Sequence, residues 1–501
     1  MPTHDHLNAF TFRQIQQLID KYAKHKTVSG LEENSFLIFG KPTSENLEKY
    51  RTIFKSADSF NAKRNLWILT SYVKACVQIV ILSSIKIVSS LITPFEWWRS
   101  LSYKSEARYL TFEILPKYQN RINWEGSFPR KLRYLTHRND GMTLILNGTR
   151  LPSFVIEKKL AKSNLNLLVL PKTLSPFRTL RLIIDDLKTS ICLSKRFFSK
   201  SLSDPVERGF VLELMKWQFH RSTYSNQVIK VEIEKLLHSL SKLSGLVLTL
   251  EGHIHERVLI RSIKNHSLQT IIHSYIHAPI LKDQRSLYEN LKELSNTDYV
   301  YLTGSIPKAL LLECTSIESS LLPTLSIVGS EKSITFTSNR KCEGNSILIA
   351  PEGTPAATRE LLDLMDYLIQ ERPDLKLILR IHPALSGIKK IIRSYPTRDT
   401  IQSQISRNDL LLDLSNSMCS IYRGSAVAIQ GLEIGVFPIH YSKTKFISLD
   451  PIDQSKLYHA TCFNGTHVVN EIDKLMSIKP SEKALKQREL SFFARNYFSS
   501  P

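Results

Sequence analysis

The sequence predicts an α/β chain built on two parallel sheets, and three observations carry that prediction. From about Met142 onward, short apolar runs alternate with helical stretches. Buried strands that alternate with helices make parallel sheets covered on both faces. The alternation falls into two series that divide near residue 330, and 501 residues is too long for one ordinary core, so two or three domains are the prior.

Residues 1–140 read as a helical accessory region. Its most apolar run is VQIVILSSIKIVSSLI, Val77 to Ile92. That run is shorter than the ~20 residues a membrane span needs, and Lys86 interrupts it. On a helix, Val77, Val80, Ile81, Ile85, Val88 and Ile92 share one face, while Lys74, Gln78, Lys86 and Ser90 lie largely elsewhere. Pro94 ends the run, and Trp97, Trp98 and Arg99 follow. Tryptophans beside an arginine suit a membrane interface. The same pattern fits a core helix with a tryptophan-rich cap.

Residues 141–330 read as a first Rossmann-like domain. TLILNGTR (143–150), LNLLVLP (165–171) and LRLIIDD (180–186) are strand candidates. GLVLTLEGHIHERVLIRSIKN (245–265) reads strand, turn, helix; 268–280 and 298–313 repeat the scheme. Residues 331–480 read as a second such domain, with SNRKCEGN (338–345) near its start. Its elements are NSILIAPEGTPAATRE with a long helix behind it, LKLILRIHP, and the run from Asp409 to Ser442. A cleft is expected between the domains. EKALKQRELSFFARNYFSS (482–500), within 481–501, reads as a basic terminal helix.

Composition narrows the function classes. The formal net charge is +21, spread along the whole chain. With no RNA-binding consensus, zinc finger or arginine-rich recognition helix, that spread points to membrane or soluble anions, and nucleic acid is not expected as a partner. The six cysteines, at 76, 192, 314, 342, 419 and 462, stand singly. This argues against a zinc ribbon or disulfide scaffold and for a reducing compartment. The opening MPTHDHLNAF is polar and does not read as a cleavable signal peptide, so a cytoplasmic protein is expected.

In open α/β sheets ligands bind beyond the carboxyl ends of the strands, which sorts the polar residues worth considering. APEGTPAATRE (350–360) puts Glu352, Gly353 and Thr354 in a turn before a helix. Thr354 suits the cap and Pro355 the first turn, and such a helix start offers N–H groups to phosphate. An ordinary βα turn is the competing reading. No Gly-Lys-Ser/Thr follows, so the turn is not a Walker loop and ATP hydrolysis is not supported. Arg380 and His382 fall on one face of a strand end, where both can bind a diphosphate. Arg423, Gly424 and Ser425 precede a helix that ends near Glu433; the hydroxyl suits phosphate and the carboxylate a ribose.

The order of these segments, a Pro-Glu-Gly turn, a long helix, strand-His-Pro, then Ser before a helix ending Glu-x-Gly-x-x-Pro, resembles the donor half of GT-B glycosyltransferases. It looks closest to bacterial capsule and surface-carbohydrate enzymes of the polysialyltransferase-like, His-Pro group, and to related CDP-polyol phosphotransferases. The likeness covers about residues 245–445. It implies that His382 and Ser425 contact the donor phosphates and Glu433 the ribose. It also implies a nucleotide-sugar donor, CMP- or UDP/GDP-linked, a glycan or lipid-linked acceptor, no cofactor and no catalytic metal. LEGHIHERV (250–258) resembles the acidic-Gly element that carries the base in sialyltransferase-like enzymes, although Leu250 stands where those families place a second acid. Glu251 is therefore the expected base, with Glu256 as the alternative, and an N-cap role for Glu251 is the structural rival. His255, Glu256 and His277 are expected in the cleft. His253, His255, His273 and His277 also raise a zinc site, but they lack an Asp-His continuation and do not share one helix. A peripheral contact of residues 77–99 with the inner face of the plasma membrane completes the expectation. A non-catalytic GT-B-like binding protein is the alternative from another class.

Overall fold

The computed structural model describes residues 17–18, 62–92, 107–115, 128–136, 138–148, 151–160, 166–198, 205–218, 221–240, 242–281, 297–314, 322–334, 345–383, 385, 387–443, 448–453, 455 and 457–500. Two all-parallel sheets organise them. The first has seven strands: β1 (Tyr109–Leu115), β2 (Gly141–Asn147), β3 (Leu167–Leu170), β4 (Gly245–Thr249), β5 (Ile271–Ile276), β6 (Tyr299–Leu302) and β7 (Thr324–Ile327). Their spatial order is β3-β2-β1-β4-β5-β6-β7. The second holds β8 (Ser346–Ala350), β9 (Leu377–Leu379), β10 (Ser417–Tyr422), β11 (Phe437–Tyr441) and β12 (Ala460–Cys462) in the order β12-β11-β10-β8-β9.

Both orders reverse direction once. In the first sheet the chain steps outward from β1 to β3, then returns to lay β4 beside β1. In the second it goes from β8 to β9, then lays β10 on the other side of β8. Each reversal splits the crossovers to opposite faces and opens a crevice at the carboxyl ends of the two strands. β4 ends at Thr249, one residue before Leu250-Glu251-Gly252. β8 and β10 end at Ala350 and Tyr422, immediately before the Pro-Glu-Gly and Arg-Gly-Ser turns.

The cores follow from the strand sequences. β8 (SILIA) and β11 (FPIHY) are buried at every position, as a strand covered on both faces must be. Leu110, Phe112, Leu246, Leu248 and Val300 fill the first core; Ile347, Ile349, Ile421 and Ile439 fill the second. The labelled helices are α1 (Ala62–Ile92), α2 (Pro176–Phe198), α3 (Pro205–Gln218), α4 (Arg221–Ser239), α5 (Ile254–His266), α6 (Ser305–Cys314), α7 (Pro355–Glu371), α8 (Leu410–Ser415), α9 (Val427–Glu433), α10 (Gly465–Ser477) and α11 (Pro480–Tyr497). α11 buries Leu490, Ala494 and Tyr497 in the second core, yet its end reaches the first domain. There the Ile280 N–H donates to the Tyr497 hydroxyl at 2.8 Å, and Ser499 donates through N–H (2.9 Å) and Oγ (2.7 Å) to the Thr303 carbonyl.

Two expectations are corrected, and an alternative left open by the sequence is narrowed. β1 lies within 1–140, and it is the strand at the reversal of the first sheet rather than part of a helical accessory region. Its sequence, YLTFEIL, alternates apolar residues with Thr111 and Glu113, yet both polar side chains are buried, as in a strand covered on both faces. LRLIIDD is not a strand but lies inside α2. Its paired isoleucines mimic a strand in a short window, while the three- and four-residue spacing of Leu180, Ile184, Leu187 and Ile191 marks the helix. Finally, α1 does not turn its apolar stripe into a core: Ile79, Lys86 and Ser90 are buried, and Val77, Val80, Ile81, Ile85 and Val88 are exposed. Trp97, Trp98 and Arg99, and residues 338–344, lie outside the described residues.

Candidate functional site

At the first reversal, Gly252 takes φ 80°, the left-handed region that glycine enters without penalty. This sharp turn carries the chain from β4 into α5 and leaves Glu251 between two histidines. Glu251 Oε1 lies 2.8 Å from His277 Nε2, and Oε2 lies 3.3 Å from His253 Nε2. The carboxylate is largely shielded at 19% exposure, while the His253 side chain stands 41% exposed. His277 comes from the residue after β5 and packs along Tyr275. His255 stacks on His253 at 5.1 Å and meets the Phe112 ring at a tilt, 5.7 Å away. Glu251, His253, His255 and His277 therefore converge.

Glu256 does something else. Its carboxylate accepts the Glu251 N–H (3.0 Å) and the His253 N–H (2.8 Å), tying down the turn from inside the first helical turn. It is buried at 1% exposure, out of reach of a substrate hydroxyl. Burial raises its pKa to about 7. An acid whose folded pKa exceeds its unfolded value stabilises the fold below the unfolded pKa, and that contribution is lost as pH rises through the folded one. Thermal unfolding of the wild type is thus expected to lose stability between about pH 4.5 and pH 7, and Glu256→Gln to flatten that slope. An unchanged slope in the variant would assign the dependence to other groups.

At the second reversal the Pro-Glu-Gly and Arg-Gly-Ser turns touch. A Cβ on Gly424 would stand 3.0 Å from Glu352 Oε1 and 3.3 Å from the Leu449 carbonyl, so the two turns meet in tight contact. Thr354 caps α7, its Oγ1 accepting the Ala357 N–H at 3.3 Å, with Pro355 in the first turn. Arg423 is buried, and its guanidinium pairs with Glu360 of α7 at 3.3 Å. It fixes one turn to the helix of the other rather than presenting charge to solvent. Ser425 Oγ accepts the Val427 N–H at 3.2 Å, closing a tight turn just ahead of α9, whose N-cap position is Ala426.

His382, beyond β9 and one strand from the reversal, is exposed. Partial loss of water around its ring lowers its pKa, which favours the neutral imidazole with one N–H to donate. Arg380 is already engaged: it donates to Asp413 at 2.7 Å and to the Asn408 carbonyl at 3.0 Å. Glu433 is engaged as well. Its carboxylate accepts the Ile334 N–H at 2.9 Å and faces the Ser333 hydroxyl at 3.5 Å, and burial raises its pKa.

Several residues of the two crevices carry no local sequence signal. Lys332, in the segment between the sheets, donates to the His277 carbonyl at 3.0 Å, and Gln430 of α9 donates to the Lys332 carbonyl at 3.0 Å. One lysine thus joins the carboxyl side of β5 to the helix behind the Arg-Gly-Ser turn. Below that turn, Tyr422 donates to Asp450 Oδ1 at 2.8 Å, which also accepts the Ile452 N–H at 2.9 Å. His459 and His440 stand 3.7 and 3.9 Å from Asp450 Oδ2. Among the described residues, no group of three or more His, Cys, Asp and Glu side chains is arranged to hold a metal ion. His273 sits apart from the Glu251 cluster, its Nδ1 3.1 Å from the Tyr301 hydroxyl.

No protein-family model and no curated protein matches the chain. Solved structures of similar topology include the N-terminal domain of Candida albicans trehalose-6-phosphate phosphatase, at 9% identity over 78% of this chain and 94% of that one, with TM-score 0.42. UDP-GlcNAc 2-epimerase from Methanocaldococcus jannaschii, in complex with UDP-GlcNAc and UDP, matches at 13% identity over 77% and 99%, with TM-score 0.41. The wall teichoic acid polymerase TagF matches at 9% over 87% and 93%, with TM-score 0.40. Likenesses this distant bear on neither activity nor ligand.

Proposed function

We propose that this chain is a GT-B glycosyltransferase that moves a sugar from a nucleotide-sugar donor to a hydroxyl of a glycan or lipid-linked acceptor. One observation carries the reading: each sheet brings a polar turn singled out from the sequence to its own reversal point, where α/β sheets bind ligands. The nucleotide lies on the second sheet, over the Glu352-Gly353-Thr354 and Gly424-Ser425 turns. Neutral His382 donates its N–H to a donor phosphate oxygen as charge develops there. Arg423, Arg380 and Glu433 act as positioning residues, since their charged groups are held by Glu360, Asp413 and the 333–334 segment.

Across the cleft, Glu251 takes the proton of the acceptor hydroxyl, its two oxygens held by His277 and His253. The freed oxygen bonds to the anomeric carbon, and the bond from that carbon to the phosphate oxygen breaks, its electron pair leaving with the nucleotide. A ligand that binds only the folded chain raises its apparent stability, so a thermal-shift screen with CMP, CDP, UDP, GDP and ADP is the direct test. One base is expected to raise the melting temperature by several degrees, and His382→Ala to remove most of that rise. If no nucleotide shifts the transition at millimolar concentration, the reading is wrong. If only CDP-glycerol serves as donor, the polyol-phosphate reading replaces it.

A further inference from the structure

The helices outside the sheets present a surface that catalysis does not use. α1 and α2 run antiparallel: Tyr72 stacks on Phe197 and meets Phe198 edge-on near one end, and Lys86 pairs with Asp186 at 3.4 Å further along. That ion pair is buried, so the inner faces of both helices are committed to protein. The opposite side of α1 is an apolar stripe through Val77, Ile81, Ile85 and Val88, with Val80 beside it at 65% exposed. α2 carries a second stripe through Phe177, Leu180, Ile184 and Ile191, with Phe177 80% exposed. Two neighbouring helices thus leave heptad-like apolar rows in water, where a monomer seldom keeps so large a patch without use.

The charges beside the stripes identify what covers them. Exposed on the two helices are Lys74, Arg178, Arg181, Lys188 and Lys195, against Asp185, which faces Lys188 at 3.4 Å. A second copy would bring this positive field, and a net charge of +21, against itself. An anionic lipid surface complements it, with long basic side chains reaching headgroups as the apolar stems settle among the acyl chains.

We infer that α1 and α2 together form an interfacial membrane-binding face that lies in the plane of a bilayer containing anionic phospholipid. The helix pair does not span. Tyr72–Leu91 is long and apolar enough to cross, but a spanning α1 would strip Lys86 from Asp186 and put the lysine in hydrocarbon. The inference stands apart from the catalytic reading, because binding needs neither donor nor acceptor.

Co-sedimentation of the full chain with 100 nm vesicles tests it. Vesicles of phosphatidylcholine with about 40% phosphatidylglycerol are expected to capture the protein at least tenfold better than pure phosphatidylcholine, with capture falling at high salt. The double variant Ile81→Asp/Ile184→Asp should lose at least tenfold in capture with an unchanged melting temperature. Arg181→Glu/Lys188→Glu, which leaves the apolar rows intact, should lose capture by the mixed vesicles only. Wild-type protein that stays in the supernatant with both vesicles overturns the inference. So does equal capture of wild type and the aspartate variant, or a soluble dimer that the aspartate variant dissolves.

Discussion

Glu251→Gln is expected to lower the rate of sugar transfer by about 10³-fold, within the range lost when a positioned general base is removed. The amide is isosteric and its oxygen still accepts one imidazole N–H, so the Gly252 turn and the Glu256 bonds beneath it persist. Nucleotide binding should therefore match wild type, since the turns proposed to hold the donor lie on the other sheet, and the melting temperature should move little. Single-turnover transfer of labelled sugar, run beside nucleotide calorimetry, separates the two effects. Transfer within tenfold of wild type would remove Glu251 from the chemistry. His253→Ala and His277→Ala then distinguish orientation from proton transfer, because the His253 side chain is more open than that of Glu251 or His277.

Gly304→Ala carries the largest expected cost in stability. A Cβ there would stand 2.2 Å from the Asn496 carbonyl oxygen and 2.5 Å from that of Tyr497, and both are backbone atoms that no rotamer change can move. Overpacking typically costs 1–3 kcal/mol, and with backbone on the far side the loss should be about 3 kcal/mol. The end of α11 must lift from the first domain, breaking the Ser499–Thr303 and Ile280–Tyr497 bonds. Urea unfolding measures the cost, and limited proteolysis should cut the variant first beyond Leu490. A midpoint equal to wild type would show that the helix end accommodates the methyl group.

Much of the fold was legible because a fully buried parallel strand is a local signal. β8, β4 and β5 announce themselves as apolar runs ending in polar turns. α2 was hidden because two adjacent isoleucines satisfy strand and helix alike until the window is widened. The α1 stripe was legible as a stripe, yet periodicity does not say whether protein or another medium covers it. The site divides in the same way. Glu251 and the Glu352 and Ser425 turns follow from the rule that strand ends bind ligands. That Arg380 serves Asp413, that Arg423 serves Glu360 and that His253 serves Glu251 depends on through-space pairing. So does the distinction between Glu251 and Glu256, which differ in whether backbone amides or imidazoles face the carboxylate.

Among the described residues, the two domains meet at two places: the segment held by Lys332 and Glu433, and the end of α11, which lies on Thr303 and on Ile306 and Leu310 of α6. A body pinned at two points keeps one easy rotation, about the line through the pins. Sliding and twisting would break one set of bonds or the other, whereas opening and shutting about that line can keep both. On the proposed function, entry of the donor and exit of the spent nucleotide would share a single mechanical coordinate. Turnover limited by that gate would answer to solvent viscosity and to changes at the pins, far from the reacting atoms.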